Sequence, residues 1–257
     1  MTEIAMDAGR QRRSLNDLQH AVHVWTANLR IPAQTVERFR SILSDEEKER
    51  ADRFRFEALS HAFIVAHAAL RCLLGNYLNL DPESIRFRYG PKGKPALSPP
   101  SRLEFNMTHS GNVAGFAFTE GCQLGLDLEQ IEPLNELESI ARSFFCTEEY
   151  QELTSLPPES RVRAFFLCWT RKEAYIKATG DGLAAPLHEF RVTLNPTEPA
   201  RFVSVGSDRE EAGRWMLHDL SIAPSFAAAL AYRSSERRIV LFPMEDTERI
   251  RDNAPSY

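Results

Sequence analysis

His61-Ala62-Phe63-Ile64-Val65-Ala66-His67 and Arg163-Ala164-Phe165-Phe166-Leu167-Cys168-Trp169 are two apolar stretches 102 residues apart, and the rest of the chain falls into step around them. The strand-like His23-Val24-Trp25-Thr26-Ala27-Asn28-Leu29 overlies Gly125 to Ile131 at the same shift. The helix start Ser44-Asp45-Glu46-Glu47 overlies Thr147-Glu148-Glu149 with one residue of slack, and Ser44 with Glu47 has capping-box spacing. Downstream, Arg86-Phe87-Arg88 matches Glu189-Phe190-Arg191, and Met107-Thr108-His109 more loosely matches Met216-Leu217-His218. Each match is short, but their order is kept. The expected fold class is therefore α+β, with two similar α+β halves in one chain related by a pseudo-two-fold axis. Pro157-Pro158 marks a turn before the second long helix, and Thr179-Gly180-Asp181-Gly182 its end. The expected boundaries are a flexible tail over 1–18, a first half over 19–120, a second half over 121–244 and a second tail over 245–257.

Chemistry concentrates in the second copy. In Gly125-Leu126-Asp127-Leu128-Glu129 the leucines alternate with the acids, so a strand would bury the leucines and project Asp127 and Glu129 from its other face. Two carboxylates that close repel, and a hard cation relieves the repulsion. Val162, Phe165, Phe166, Trp169 and Ile176 recur at three- and four-residue steps and form one apolar helix stripe, into which Glu173 falls, with Lys177 one turn on. A carboxylate on an inward face must be paired, protonated or metal-bound. Taken singly, Glu173 and Lys177 read as a structural ion pair, and Asp127 and Glu129 as a solvated strand face; together, the three acids point to a divalent-cation site. The acids occur only in the second copy, while Gly90-Pro91-Lys92-Gly93-Lys94-Pro95 and His109 precede it, so the site belongs in the cleft between halves.

Composition excludes other classes. With 43% hydrophobic and 26% charged residues the 257-residue chain is an ordinary globular protein, and its net charge of -5 argues against a general nucleic-acid binder. The longest nearly apolar run, Ala62 to Leu70, is interrupted by His67, so no membrane span or secretory signal is expected and a cytoplasmic location follows. Cys72, Cys122, Cys146 and Cys168 form no C-x-x-C pair and read as small core residues. Cations such as Arg50, Arg55, Arg71, Lys92 and Lys94 gather in the first half, which suits a polyphosphate ligand, although most read equally as solvated helix faces. The glycine-lysine turn lacks P-loop spacing.

Gly125-Leu126-Asp127-Leu128-Glu129 with Trp169-x-x-Lys172-Glu173-Ala174-x-x-Lys177 resembles the paired signature of 4'-phosphopantetheinyl transferases of the surfactin-activating type. His23-Val24-Trp25, Gly93-Lys94-Pro95 and Asn106-Met107-Thr108-His109-Ser110 resemble further segments of that family, in the same order. The resemblance implies a fold of two similar α+β halves and transfer of phosphopantetheine from coenzyme A to a serine of an apo acyl or peptidyl carrier protein. It also implies that Asp127, Glu129 and Glu173 hold Mg²⁺ against the diphosphate of coenzyme A and that Lys177 contacts this diphosphate. Lys94, Thr108 and His109 would grip the adenosine 3'-phosphate end, and Glu173 would take the serine proton, directly or through a water. A metal and an ammonium suit such a transfer because both stabilise charge developing on phosphate oxygens. Many relatives carry an arginine where this chain has Ala62, a role open here to His61, Arg55 or Arg71. One chain would build one site, so a monomer is expected. A metal-dependent phosphohydrolase and a non-catalytic coenzyme A binding module are the competing readings.

Overall fold

The computed structural model describes residues 4–6, 15–182, 185–206 and 210–244. The first series of elements is β1 (Ile4–Met6), β2 (Ala21–Asn28), α1 (Ala33–Arg40), α2 (Asp45–Asp52), α3 (Glu57–Leu78), β3 (Phe87–Tyr89), β4 (Pro95–Leu97), β5 (Leu103–Ser110) and β6 (Val113–Glu120). The second is β7 (Leu124–Gln130), α4 (Leu137–Phe144), α5 (Thr147–Ser155), α6 (Pro158–Thr179), β8 (Phe190–Val192), β9 (Phe202–Val205), β10 (Met216–Asp219) and β11 (Phe226–Tyr232), followed by β12 (Arg238–Met244). From β2 to β6 and from β7 to β11 the order is the same, so the duplicated α+β architecture expected from the sequence is present. The antiparallel trio β2-β6-β5 repeats as β7-β11-β10.

Both long helices have 22 residues and end in a left-handed residue, Asn79 in one and Gly180 in the other. Asparagine and glycine tolerate that conformation best. Aligning the helices by their ends gives a shift of 101 residues, one less than the sequence comparison used, and places Arg71 on Lys172. A buried polar network confirms this register. Arg71 meets Glu47 at 2.7 Å, donates to the carbonyls of Pro82 and Ile85, and lies over the Phe87 ring. Lys172 meets Glu149 at 2.9 Å, donates to the carbonyls of Leu187 and Phe190, and lies over the Phe190 ring. Each glutamate also returns to the N-cap nitrogen of its short helix. Glu47 accepts from Ser44, as its spacing predicts, and Glu149 accepts from Cys146, so the second cap is Cys146 and not Thr147.

Three apolar cores fill the molecule. One joins α3 to one face of the first sheet, a second joins α6 to the second sheet, and a third lies between the sheets, where Val22 and Val24 of β2 and Leu241 of β12 meet Leu124, Leu126 and Leu128 of β7 and Leu230 of β11. Helix α3 is long and apolar enough to cross a membrane by length and composition, and 67% of its apolar window is buried inside the protein.

The two halves are not self-contained as the expected boundaries implied. The first sheet runs β1-β12-β2-β6-β5, with β12 parallel to both neighbours, so residues 238–244 belong to the first half's sheet. The segment expected to be an N-terminal tail supplies β1 and a 3-10 turn, Leu15–Gln19, whose Leu18 is fully buried. The expected tail over 245–257 lies outside the described residues.

Candidate active site

Small residues bring α6 onto its sheet. A methyl group at Gly125 would overlap the Ala174 carbonyl and the Ala178 nitrogen, so only glycine allows this approach of helix to strand. Ala229 and Ala231, on the strand paired with β7, and Ala174 and Ala178, on the helix, are all fully buried. At the equivalent place in the first half, β2 presents His23 and Trp25, whose side chains bond to Tyr77 of α3. Close approach in the second half alone puts the acid of β7 beside the acid and amine of α6.

Strand β5 then crosses to β7 through side chains in place of a backbone ladder. Asn106 Oδ1 accepts from the Leu126 nitrogen at 2.8 Å, Thr108 Oγ1 donates to Asp127 Oδ1 at 3.2 Å, and Ser110 Oγ donates to Glu129 Oε2 at 2.7 Å. The two-residue spacing of Asn106, Thr108 and Ser110 places all three on one face of β5. Lys177 completes the cluster, donating to Asp127 Oδ1 at 2.5 Å and to Thr108 Oγ1 at 3.1 Å. The strand pattern expected Asp127 to project from the face opposite the leucines, and taken singly it read as part of a solvated strand face. Asp127 is instead as buried as the leucines beside it, because β5 and α6 cover that face.

Glu173 is 5% exposed, and its carboxyl is pushed up to about 7 by burial and then by the negative charges of Asp127 and Glu129, against the lowering effect of Lys177. Burial also raises Glu129, with the Ser110 hydrogen bond opposing it. Asp127 Oδ2 and Glu173 Oε1 are buried and have no hydrogen-bond partner. Buried carboxylate oxygens are seldom left that way, since an unmade bond costs about 1–3 kcal/mol.

Among the described residues, no three His, Cys, Asp or Glu side chains close around a point as a ready metal cluster. Ser110 draws Glu129 toward β5, and Lys177 occupies one oxygen of Asp127. The donor set still fits a divalent cation: two partnerless buried oxygens remain, and Mg²⁺ takes one or two protein carboxylates and completes its shell with phosphate oxygens and water.

The other expected ligand contacts divide. His109 keeps solvent contact on the face of β5 opposite Thr108; the protein around it, and next the charges of His67 and Lys177, hold its pKa below the ordinary value. Thr108 faces Asp127 and Lys177, on the other face of the strand from His109. Lys94 donates to the carbonyls of Leu124 and Ala178 at 3.1 and 2.7 Å. Arg71 is 2% exposed and held by Glu47, so it cannot stand in for an arginine at Ala62; His61, beside Glu57, and Arg55, over Phe56, remain near the surface. Sequence reasoning missed Asn106 and Ser110 as bridges. Their alternation with Thr108 was visible, but the strand they face was not.

The matching family models are described as the 4'-phosphopantetheinyl transferase superfamily, over residues 123–231, and as the N-terminal part of 4'-phosphopantetheinyl transferase, over residues 31–120. The chain is 39% identical over 221 residues to the 4'-phosphopantetheinyl transferase HetI of Nostoc sp., covering 85% of this chain and 90% of that one. It is 33% identical over 159 residues to the 4'-phosphopantetheinyl transferase Sfp of Bacillus subtilis, covering 62% and 70%. A slighter likeness, with a TM-score of 0.34 and 20% identity, covers 45% of this chain and 64% of the Thermotoga maritima holo-[acyl-carrier-protein] synthase. With both halves matched and nearly the whole of HetI spanned, the chain belongs to the 4'-phosphopantetheinyl transferase superfamily.

Proposed function

We propose that the cleft between the halves binds the diphosphate of coenzyme A beside Lys177 and a Mg²⁺ ion held by Asp127 and Glu173, with Glu129 next to them. The enzyme is a 4'-phosphopantetheinyl transferase, which converts apo carrier protein to holo. The observation that carries the site assignment is the pair of partnerless buried oxygens, Asp127 Oδ2 and Glu173 Oε1, beside an ammonium already bonded to Asp127.

In the reaction the carrier serine oxygen forms a bond to the phosphorus that bears the pantetheine arm. The bond from that phosphorus to the bridging oxygen breaks, and adenosine 3',5'-bisphosphate leaves with the bond's electron pair. A divalent cation held by Asp127 and Glu173 would supply charge neutralisation on the phosphate oxygens. Glu173 takes the serine proton, directly or through a water. Lys177 offers its ammonium to the diphosphate, and the hydroxyls of Thr108 and Ser110 hold Asp127 and Glu129 in place meanwhile. His109, exposed on the opposite face of β5 from Thr108, would meet the nucleotide's 3'-phosphate.

We also propose a monomeric cytoplasmic enzyme. One chain supplies every residue of the site, and the four cysteines are free, as suits a reducing compartment. Nothing in the site favours hydrolysis over transfer.

The test incubates purified protein with coenzyme A, Mg²⁺ and apo carrier proteins of the fatty-acid, polyketide and nonribosomal-peptide classes, followed by intact-mass spectrometry. The expected result is one phosphopantetheinyl group on a carrier and loss of transfer on chelation. Coenzyme A cleavage without carrier modification in any class would overturn the assignment.

A further inference from the structure

The Gly90-Pro91-Lys92-Gly93-Lys94-Pro95 turn sits against the C-terminal end of α6, and its two lysines do different things there. Lys92 is exposed at its tip, with its stem beside Gly182. Lys94 runs along Gly180, where an added methyl group would stand 3.3 Å from its Cδ. Its ammonium ends between two backbone carbonyls. One belongs to Leu124, the first residue of β7 and three residues before Asp127; the other belongs to Ala178, the residue after Lys177. A side chain of the first half thus ties together the two elements of the second half from which the acids and the amine project. Carbonyls in the last turn of a helix lack intrahelical partners, and a cation there both satisfies one and complements the helix dipole.

We propose that Lys94 is a positioning residue for Lys177, Asp127 and Glu173, clamping β7 to the end of α6, and that it does not grip the 3'-phosphate of the nucleotide. The inference rests on the coenzyme A reading of the cleft given above. It assigns 3'-phosphate recognition elsewhere in the cleft and gives the glycine-lysine turn a mechanical part. With Lys94 gone, two carbonyls lose their donor at the place where helix and strand must stay in register. The diphosphate would still bind, but the amine and acids would meet it misaligned, and small displacements of reacting groups are costly in rate.

The experiment compares wild type, Lys94→Met and Lys94→Arg. Calorimetry measures binding of coenzyme A and 3'-dephospho-coenzyme A; transfer to an apo carrier gives kcat and KM for each. Lys94→Met is expected to lower kcat at least about tenfold with both donors and to leave the ratio of their affinities within about twofold of wild type. Lys94→Arg, which can again donate to both carbonyls, is expected to recover much of kcat. Weaker binding of coenzyme A by Lys94→Met, with binding of the 3'-dephospho form unchanged, would overturn the clamp and make Lys94 a phosphate ligand. Should Lys94→Met fail to fold, Lys94→Arg and Lys94→Gln are read for the same affinity ratio, and a shifted ratio overturns the proposal equally. Failure of wild type to bind either donor would overturn the coenzyme A reading itself, and the proposal with it.

Discussion

Replacing Lys172 by methionine isolates one buried charge pair at nearly constant volume. Lys172 and Glu149 are both fully buried and 2.9 Å apart, and the ammonium also donates to the carbonyls of Leu187 and Phe190. Methionine keeps the aliphatic stem over Phe190 but leaves Glu149 as a charge without its ammonium partner, held by the Cys146 and Val192 nitrogens. Breaking a buried pair from one side costs about 3–5 kcal/mol. For a chain of this size about 4 kcal/mol corresponds to a fall in Tm of roughly 8–16 °C. Glu149→Gln should also destabilise, by stranding Lys172. The double variant removes both charges together and should cost less than the sum of the singles by about 2 kcal/mol or more, since directly contacting groups couple. As a control, Arg53→Met removes an exposed pair with Glu49 at 3.6 Å and should leave Tm unchanged. Calorimetric melts and urea titrations of the five proteins give these values. A Lys172→Met loss below about 1 kcal/mol, or strict additivity in the double variant, would refute the view that this network fixes the helix register.

The raised Glu173 carboxyl makes a second, signed prediction. Its native pKa of about 7 exceeds the ordinary 4.5, so the folded state holds that proton more tightly than the unfolded state, and without metal its contribution to stability falls as pH rises from about 4.5 to 7. Mg²⁺ should therefore raise Tm more at pH 8 than at pH 5, and Glu173→Gln should abolish the difference; equal Mg²⁺ effects at both pH values would contradict the assignment. Asp127→Ala should reduce transfer on the order of 10²-fold with a cooperative melt retained, and near-normal turnover would remove it from the site. Gly125→Ala should lower Tm and activity together, because α6 must lift off β7; wild-type values for both would show that the contact is dispensable. Light scattering across a dilution series should show a monomer with constant specific activity, and activity lost along with a dimer would contradict one site per chain.

Much of this architecture was legible in the residues because it is local and repeated. Period-two leucines marked β7, the apolar stripe with Glu173 marked α6, and the conserved order of matches revealed the duplication. The one-residue error in helix register arose because apolar helix residues align almost equally well at neighbouring shifts; Arg71 and Lys172 break that degeneracy only once each is seen to face a capping glutamate. The roles of Thr108, Ser110 and Lys94 depend on which distant strand lies beside β5 and where a turn lands on α6, contacts across tens of residues that periodicity cannot encode. The same holds for β12. Its residues fall within the bounds expected for the second half, while their partner is β2, more than two hundred residues earlier.

That pairing gives the chain an order of assembly. On a ribosome β2 emerges early, with one edge taken by β6 soon after, yet its other edge waits for residues 238–244 to be made. Until then an apolar strand, Ala21 to Asn28, presents unpaired backbone groups, the kind of edge that recruits foreign strands. A nascent first half is thus a species in need of shelter through the whole synthesis of the second. A cut between β6 and β7 would not yield two free domains, because the fragment carrying the acids would also carry away the strand that closes its neighbour's sheet.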